Sequence, residues 1–142
     1  MVRSKLVYVS AIILACALVP YRQTIAPEWT VTTLDHTHRP LAGLTVREEW
    51  QQYSIEDNSH EEDRFTDDKG GVHFPRRTHL TTVGIRILGC ARQVITQGIS
   101  ASCGAHSYLV VFGGGIDTMS WANPEQENGT TMPTQRSTLV LK

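Results

Sequence analysis

Cys103-Gly104-Ala105-His106 sets a thiol three residues from an imidazole. A cysteine nucleophile needs that pairing, because the imidazole takes the proton that turns thiol into thiolate. The chain holds 3 cysteines, and another stands at Cys90. If residues 1–17 are removed on export, Cys90 and Cys103 remain as an even pair, and in an oxidising compartment such a pair is most simply a disulfide. Closing a loop of that size stabilises a fold by about 3 kcal/mol in the chain-entropy picture. Two reduced thiols in an apolar setting are the alternative, and the nucleophile reading ranks behind both.

His36 and His38 flank Thr37, so in an extended chain they project from one side, as two metal ligands would. His60-Glu61-Glu62-Asp63 offers oxygen donors, and Asp57, Asp67 and Asp68 add further carboxylates. None of these spacings is diagnostic, and solvated acidic loops account for them. No Gly-x-Ser-x-Gly elbow or phosphate loop is present. No catalytic set, metal site or cofactor is therefore expected. Trp121 stands alone in a polar stretch, where an exposed indole could stack on a sugar or anchor a protein contact. Folding back over the edge of the core is its plainer role. Trp29 and Trp50 fall at core-facing positions, and Asn128-Gly129-Thr130 matches a glycosylation acceptor or an ordinary Asn-Gly turn.

The elements that would position these residues are short strands. Trp29, Val31 and Thr33 share one face of a strand over Trp29–Leu34. In Leu44–Tyr53, Leu44, Val46 and Trp50 fall on one side, and Thr45, Arg47, Glu49 and Gln51 on the other. Glu48 interrupts the apolar side and suggests that the strand runs past the core there. Arg64–Pro75 reads as a β-hairpin about Asp67-Asp68-Lys69-Gly70-Gly71, with Asp68 bonding its own backbone and both glycines supplying positive φ. Thr81–Leu88 can alternate as a strand, with a helical turn near Arg77–Thr82 as the competing reading. The segment 89–104 reads as irregular. Ser107–Phe112, with Tyr108, Val110 and Phe112 on one face, and Ser137–Leu141 are strands, separated by a long loop over residues 116–135.

Length and composition bound the rest. The chain has 142 residues, 40% hydrophobic and 19% charged, which suits one domain. A net charge of −1 leaves no basic footprint for nucleic acid. The mean hydropathy of −0.21 excludes a polytopic membrane protein. Arg3 and Lys5 precede the apolar run Leu6–Val19, the layout of a secretory signal and short of the roughly 20 residues of a spanning helix. Cleavage after Ala17, lipidation at Cys16 of Ile13-Leu14-Ala15-Cys16, and retention as an anchor contacting membrane through residues 6–19 all stay open. Each predicts an extracytoplasmic domain. Residues 1–19 are thus read as signal or anchor, 20–28 as a linker, and 29–142 as one all-β sandwich of about seven strands.

Val31-Thr32-Thr33-Leu34-Asp35, then Arg39-Pro40-Leu41-Ala42-Gly43-Leu44-Thr45-Val46, then Thr66-Asp67-Asp68-Lys69-Gly70-Gly71-Val72-His73-Phe74-Pro75, resemble the carboxypeptidase regulatory-like domain. The resemblance covers roughly residues 30–75. It implies a transthyretin-like β-sandwich that is exported and non-catalytic, and its shared turns are scaffold. Hydroxyisourate hydrolases share that sandwich but end in Tyr-Arg-Gly-Ser, whereas this chain ends Thr138-Leu139-Val140-Leu141-Lys142. The expected function is therefore a non-enzymatic interaction module for an envelope protein or glycan. A carbohydrate-binding module using Trp121, or a small metal-dependent hydrolase, is the alternative.

Overall fold

A computed structural model describes residues 2–114, 120–124, 126–127, 130–131 and 133–141. In chain order the elements are α1 (Val2–Leu18), β1 (Pro20–Ala26), β2 (Glu28–Asp35), β3 (Thr45–Gln52), β4 (His60–Phe65), β5 (Gly71–Phe74), β6 (Arg77–Thr82), α2 (Val83–Gln97), a 3₁₀ turn (Gly98–Ser100), β7 (Ala105–Phe112), β8 (Ser120–Ala122), β9 (Gln126–Glu127), β10 (Thr130–Thr131) and β11 (Thr134–Leu141). The protein is mostly β. One sheet has the order β11-β2-β5 and another β4-β3-β7-β8, while β1 pairs with β6 and β9 with β10. The β2–β11 ladder is parallel, and the other pairings are antiparallel.

Alternation places the core between the two larger sheets. Trp29, Val31, Val72, Phe74, Leu139 and Leu141 come from one sheet, and Val46, Leu109 and Val111 from the other, with Leu44 at the entrance to β3. Thr33 is also buried, so the predicted Trp29/Val31/Thr33 face points inward as a unit. Its hydroxyl donates to the carbonyls of Leu41 (2.9 Å) and Gly70 (3.1 Å). Thr66 does similar work from the other sheet, donating to Leu41 O (2.8 Å) and accepting from Leu44 N (3.0 Å). Two buried threonines thus fasten the loop before β3 to the corner before β5. Thr66→Val leaves Leu44 N unpaired and takes one of two hydroxyl donors from Leu41 O at constant volume, and should lower the unfolding free energy by about 1–3 kcal/mol in urea titration.

Several sequence expectations change. Arg64–Pro75 is not a hairpin: β4 pairs with β3 and β5 with β2, so the turn carries the chain from one sheet to the other. Asp67, not Asp68, holds that corner, its carboxylate accepting from Lys69 N and Gly71 N at 2.8 Å each. Of the two glycines Gly70 has positive φ (70°), and a Cβ there would meet Thr33 O at 2.4 Å. Residues 20–26 of the expected linker form β1, which pairs with β6 and buries Ile25 and Ala26. Residues 83–97 form a helix instead of a strand followed by irregular chain. Thr82 caps it, its hydroxyl accepting from Ile85 N at 3.2 Å. The long loop expected over 116–135 contains β8, β9, β10 and the start of β11. The Asn128-Gly129 turn lies outside the described residues.

Cys90 in α2 and Cys103 ahead of β7 are joined by a disulfide. The bond fits an oxidising, extracytoplasmic compartment. Cys16 is free and exposed. No helix among the described residues is long and apolar enough to cross a membrane.

Candidate functional site

The outer face of the β4-β3-β7-β8 sheet carries the densest group of recognition side chains. Ser107, Leu109 and Val111 of β7 are buried, so Tyr108 projects from the opposite face. In register, Glu49 opposes Tyr108, Arg47 opposes Val110, and Val110 opposes Trp121 of β8. Trp121 therefore sits diagonally from Tyr108, with ring centroids 5.4 Å apart and planes inclined by 35°. His106 lies 5.6 Å from Tyr108, and Tyr53 6.0 Å from His106, so four rings follow one another along the sheet. Trp121 is 59% exposed. It does not fold back over the core.

Charged groups fix the orientation of this row. The Tyr108 hydroxyl donates to Glu49 Oε2, and that bond, aided by burial, pushes the phenol up to about 12. Tyr108 thus stays neutral throughout the physiological range. Arg47 donates through Nε and Nη2 to both oxygens of Asp63 (2.7 and 2.8 Å) and lies 2.8 Å from Glu61. The same pairing holds the Asp63 carboxyl below its usual range. The Arg47 guanidinium also stands 5.5 Å over the Phe112 ring. Arg47, Glu49, Tyr108, Val110, Phe112 and Trp121 line an open hollow of about 300 Å³. Flat aromatic surface beside held carboxylates suits recognition of a ligand.

No family model matches the chain, and no curated protein matches it. Among solved structures, a 9R-lipoxygenase from Cyanothece PCC8801 aligns with 80% of this chain and 16% of its own, at 12% identity and a TM-score of 0.38. That score carries no argument about activity.

The other sequence candidates are dispersed or already engaged. Cys103 is oxidised to Cys90, which takes the thiol away from the Cys103/His106 pairing. His36 and His38 are exposed in the turn after β2. His60, Glu61, Glu62 and Asp63 alternate along β4, so they point to opposite faces. Among the described residues, no group of three His, Cys, Asp or Glu side chains is placed to hold a metal ion.

Sequence reasoning nominated Trp121 and missed its companions. Tyr108 was visible as one face of a strand, but which face was outward depends on the pairing with β3. Glu48 was misjudged too: it does not lie past the core but is fully buried. Its Oε2 accepts from Arg77 Nε at 3.0 Å, while Oε1 has no hydrogen-bond partner among the described residues. Arg77 also donates to Glu62, which lies opposite Glu48 across the ladder, and stands 4.4 Å over the Trp50 ring.

Proposed function

We propose that the protein is a non-enzymatic, exported or membrane-tethered interaction module that binds a glycan of the cell envelope. The observation that carries the proposal is the exposed Trp121 held against Tyr108 on the outer face of a sheet. Sugar rings stack their C–H faces on such surfaces, and carboxylates and amides beside the rings take up their hydroxyls. Arg47 shares this face with Glu49, Glu61 and Asp63, so the local balance is acidic. Neutral or N-acetylated oligosaccharides suit it better than polyuronates.

The fold reading is a transthyretin-like sandwich of the carboxypeptidase regulatory-like kind. Its support is the joining of the resembling segments, 31–46 and 66–75, through Thr33 and Thr66 into one hydrogen-bonded corner. Export is supported by the Cys90–Cys103 disulfide and by the apolar run Leu6–Val19 behind Arg3 and Lys5.

Isothermal titration against neutral glucans, N-acetylhexosamine oligomers and uronic-acid oligomers tests the proposal. One of the first two classes should bind, and Trp121→Ala should weaken it by about 2 kcal/mol, close to thirtyfold. Binding unchanged by Trp121→Ala, or no binding by any class, counts against it. An extended envelope peptide bound at the same face would leave the site standing and replace the ligand.

A further inference from the structure

Helix α2 is built with its apolar side outward. Its inner side is polar or small: Gly89 lies against the Ser54 carbonyl, where a Cβ would come within 1.6 Å. Gln93, the buried residue of the helix, donates to Tyr53 O at 2.8 Å. Arg86 donates to the Tyr21 hydroxyl at 3.1 Å. On the other side Ile87 is 62% exposed, Leu88 72%, Val94 52% and Ile95 84%, and Ile99 of the following turn is fully exposed. A helix on a globular domain ordinarily buries such a stripe, so this one is made to meet something apolar.

The charge pattern indicates what. The elements α1, β1, α2 and the 3₁₀ turn contain Arg3, Lys5, Arg22, Arg86 and Arg92 and no acidic residue. The remaining 8 of the 13 basic residues share the rest of the chain with all 14 acidic ones. Among the described residues, the one carboxylate paired with these basic groups is Asp57, which accepts from Arg92, while Arg86 is turned inward to Tyr21 and adds nothing to the outer surface. α1 continues the apolar surface: Ile12, Ile13, Leu14 and Leu18 are exposed, and the Ala17 carbonyl lies against Gly84 of α2. A second copy on the stripe would bring two basic ends together. An anionic bilayer matches both the apolar stripe and the charge.

We propose that α2 is an interfacial helix, its Ile87–Ile95 stripe seated in an anionic phospholipid surface beside α1. The inference is independent of the glycan reading, which concerns another face.

The test uses the full chain with the disulfide oxidised, Cys16→Ala, and Ile95→Cys carrying an environment-sensitive fluorophore. A second sample carries the label at Asp68→Cys on the acidic corner. With phosphatidylglycerol-containing vesicles, the position-95 label should shift to the blue and lose most of its emission to nitroxide-bearing lipid. The position-68 label should do neither, and pure phosphatidylcholine should give a weaker response. A position-95 label that stays in water while the chain floats with the vesicles overturns the inference. So does a blue shift already present without lipid, which would mean that a second copy covers the stripe.

Discussion

Replacing Arg77 with alanine should lower the unfolding free energy by about 1–3 kcal/mol at neutral pH, measured in urea, the cost of leaving buried acceptors without their donor. Arg77 is the cation facing Glu48, which the sandwich excludes from water, and it also bridges to Glu62 across the ladder. Without it, two carboxylates face each other on neighbouring strands with the Trp50 ring uncovered. Arg64, whose Nε lies 2.7 Å from Glu62, would still face that second carboxylate.

The cost should depend on pH, with a sign fixed by Glu48. Burial pushes its carboxyl up from 4.5 to about 7, against the pull of Arg77. A raised carboxyl favours the folded state while it is protonated. Its contribution is therefore complete below about 4.5 and is lost as pH rises towards 7, amounting to up to roughly 3 kcal/mol. Stability of the unmodified protein should fall across that window from this group, and Glu48→Gln should flatten the fall. Arg77→Ala should do less damage at pH 4.5, where Glu48 holds its proton. An equal loss at both pH values would mean that Arg77 acts through packing on Trp50 alone.

Removing the disulfide, by Cys90→Ser with Cys103→Ser or by reduction, should cost about 3 kcal/mol. The loss should be uneven. Among the residues of α2 only Gln93 is buried, so the helix adds little to the core and relies on the bond to Cys103. Amide exchange should rise first over Val83–Gln97, while Val46, Leu109 and Val111 stay protected. Faster exchange spread evenly through the sheets would show that the helix is held by its other contacts.

The legible parts of the fold were those with a two-residue period. β2 and β3 announce an inward face by alternation, while β7 and β11 show only as strands, and their threonines and aromatics favour the extended backbone. Pairing was not legible, because the Asp67–Gly71 corner reads the same locally whether the chain turns back within a sheet or crosses to the next. β1 was hidden by Pro20 and Pro27, which stand at its limits and leave the run between them free to pair. α2 was mistaken because Val83, Ile85 and Ile87 alternate for three positions before the helical repeat through Val94 can assert itself. Thr82 ahead of that run was the available signal for a helix start. The site was half visible. An isolated Trp121 could be noticed, but Tyr108 joins it only through the Val110–Trp121 register. Glu48 reads from the sequence as the mark of a strand leaving the core, because the arginine that makes its burial tolerable lies on another strand.

The most direct measurement follows the side-chain indole N–H signals of the three tryptophans during titration with N-acetylhexosamine oligomers and neutral glucans. Trp29 donates to Ser137 Oγ at 2.8 Å inside the core, and Trp50 is already engaged by the His60 ring and the Arg77 guanidinium, so both serve as internal references. The account predicts a saturable shift of the Trp121 signal alone, lost in Tyr108→Ala. Saturable binding that leaves the Trp121 signal in place would contradict it.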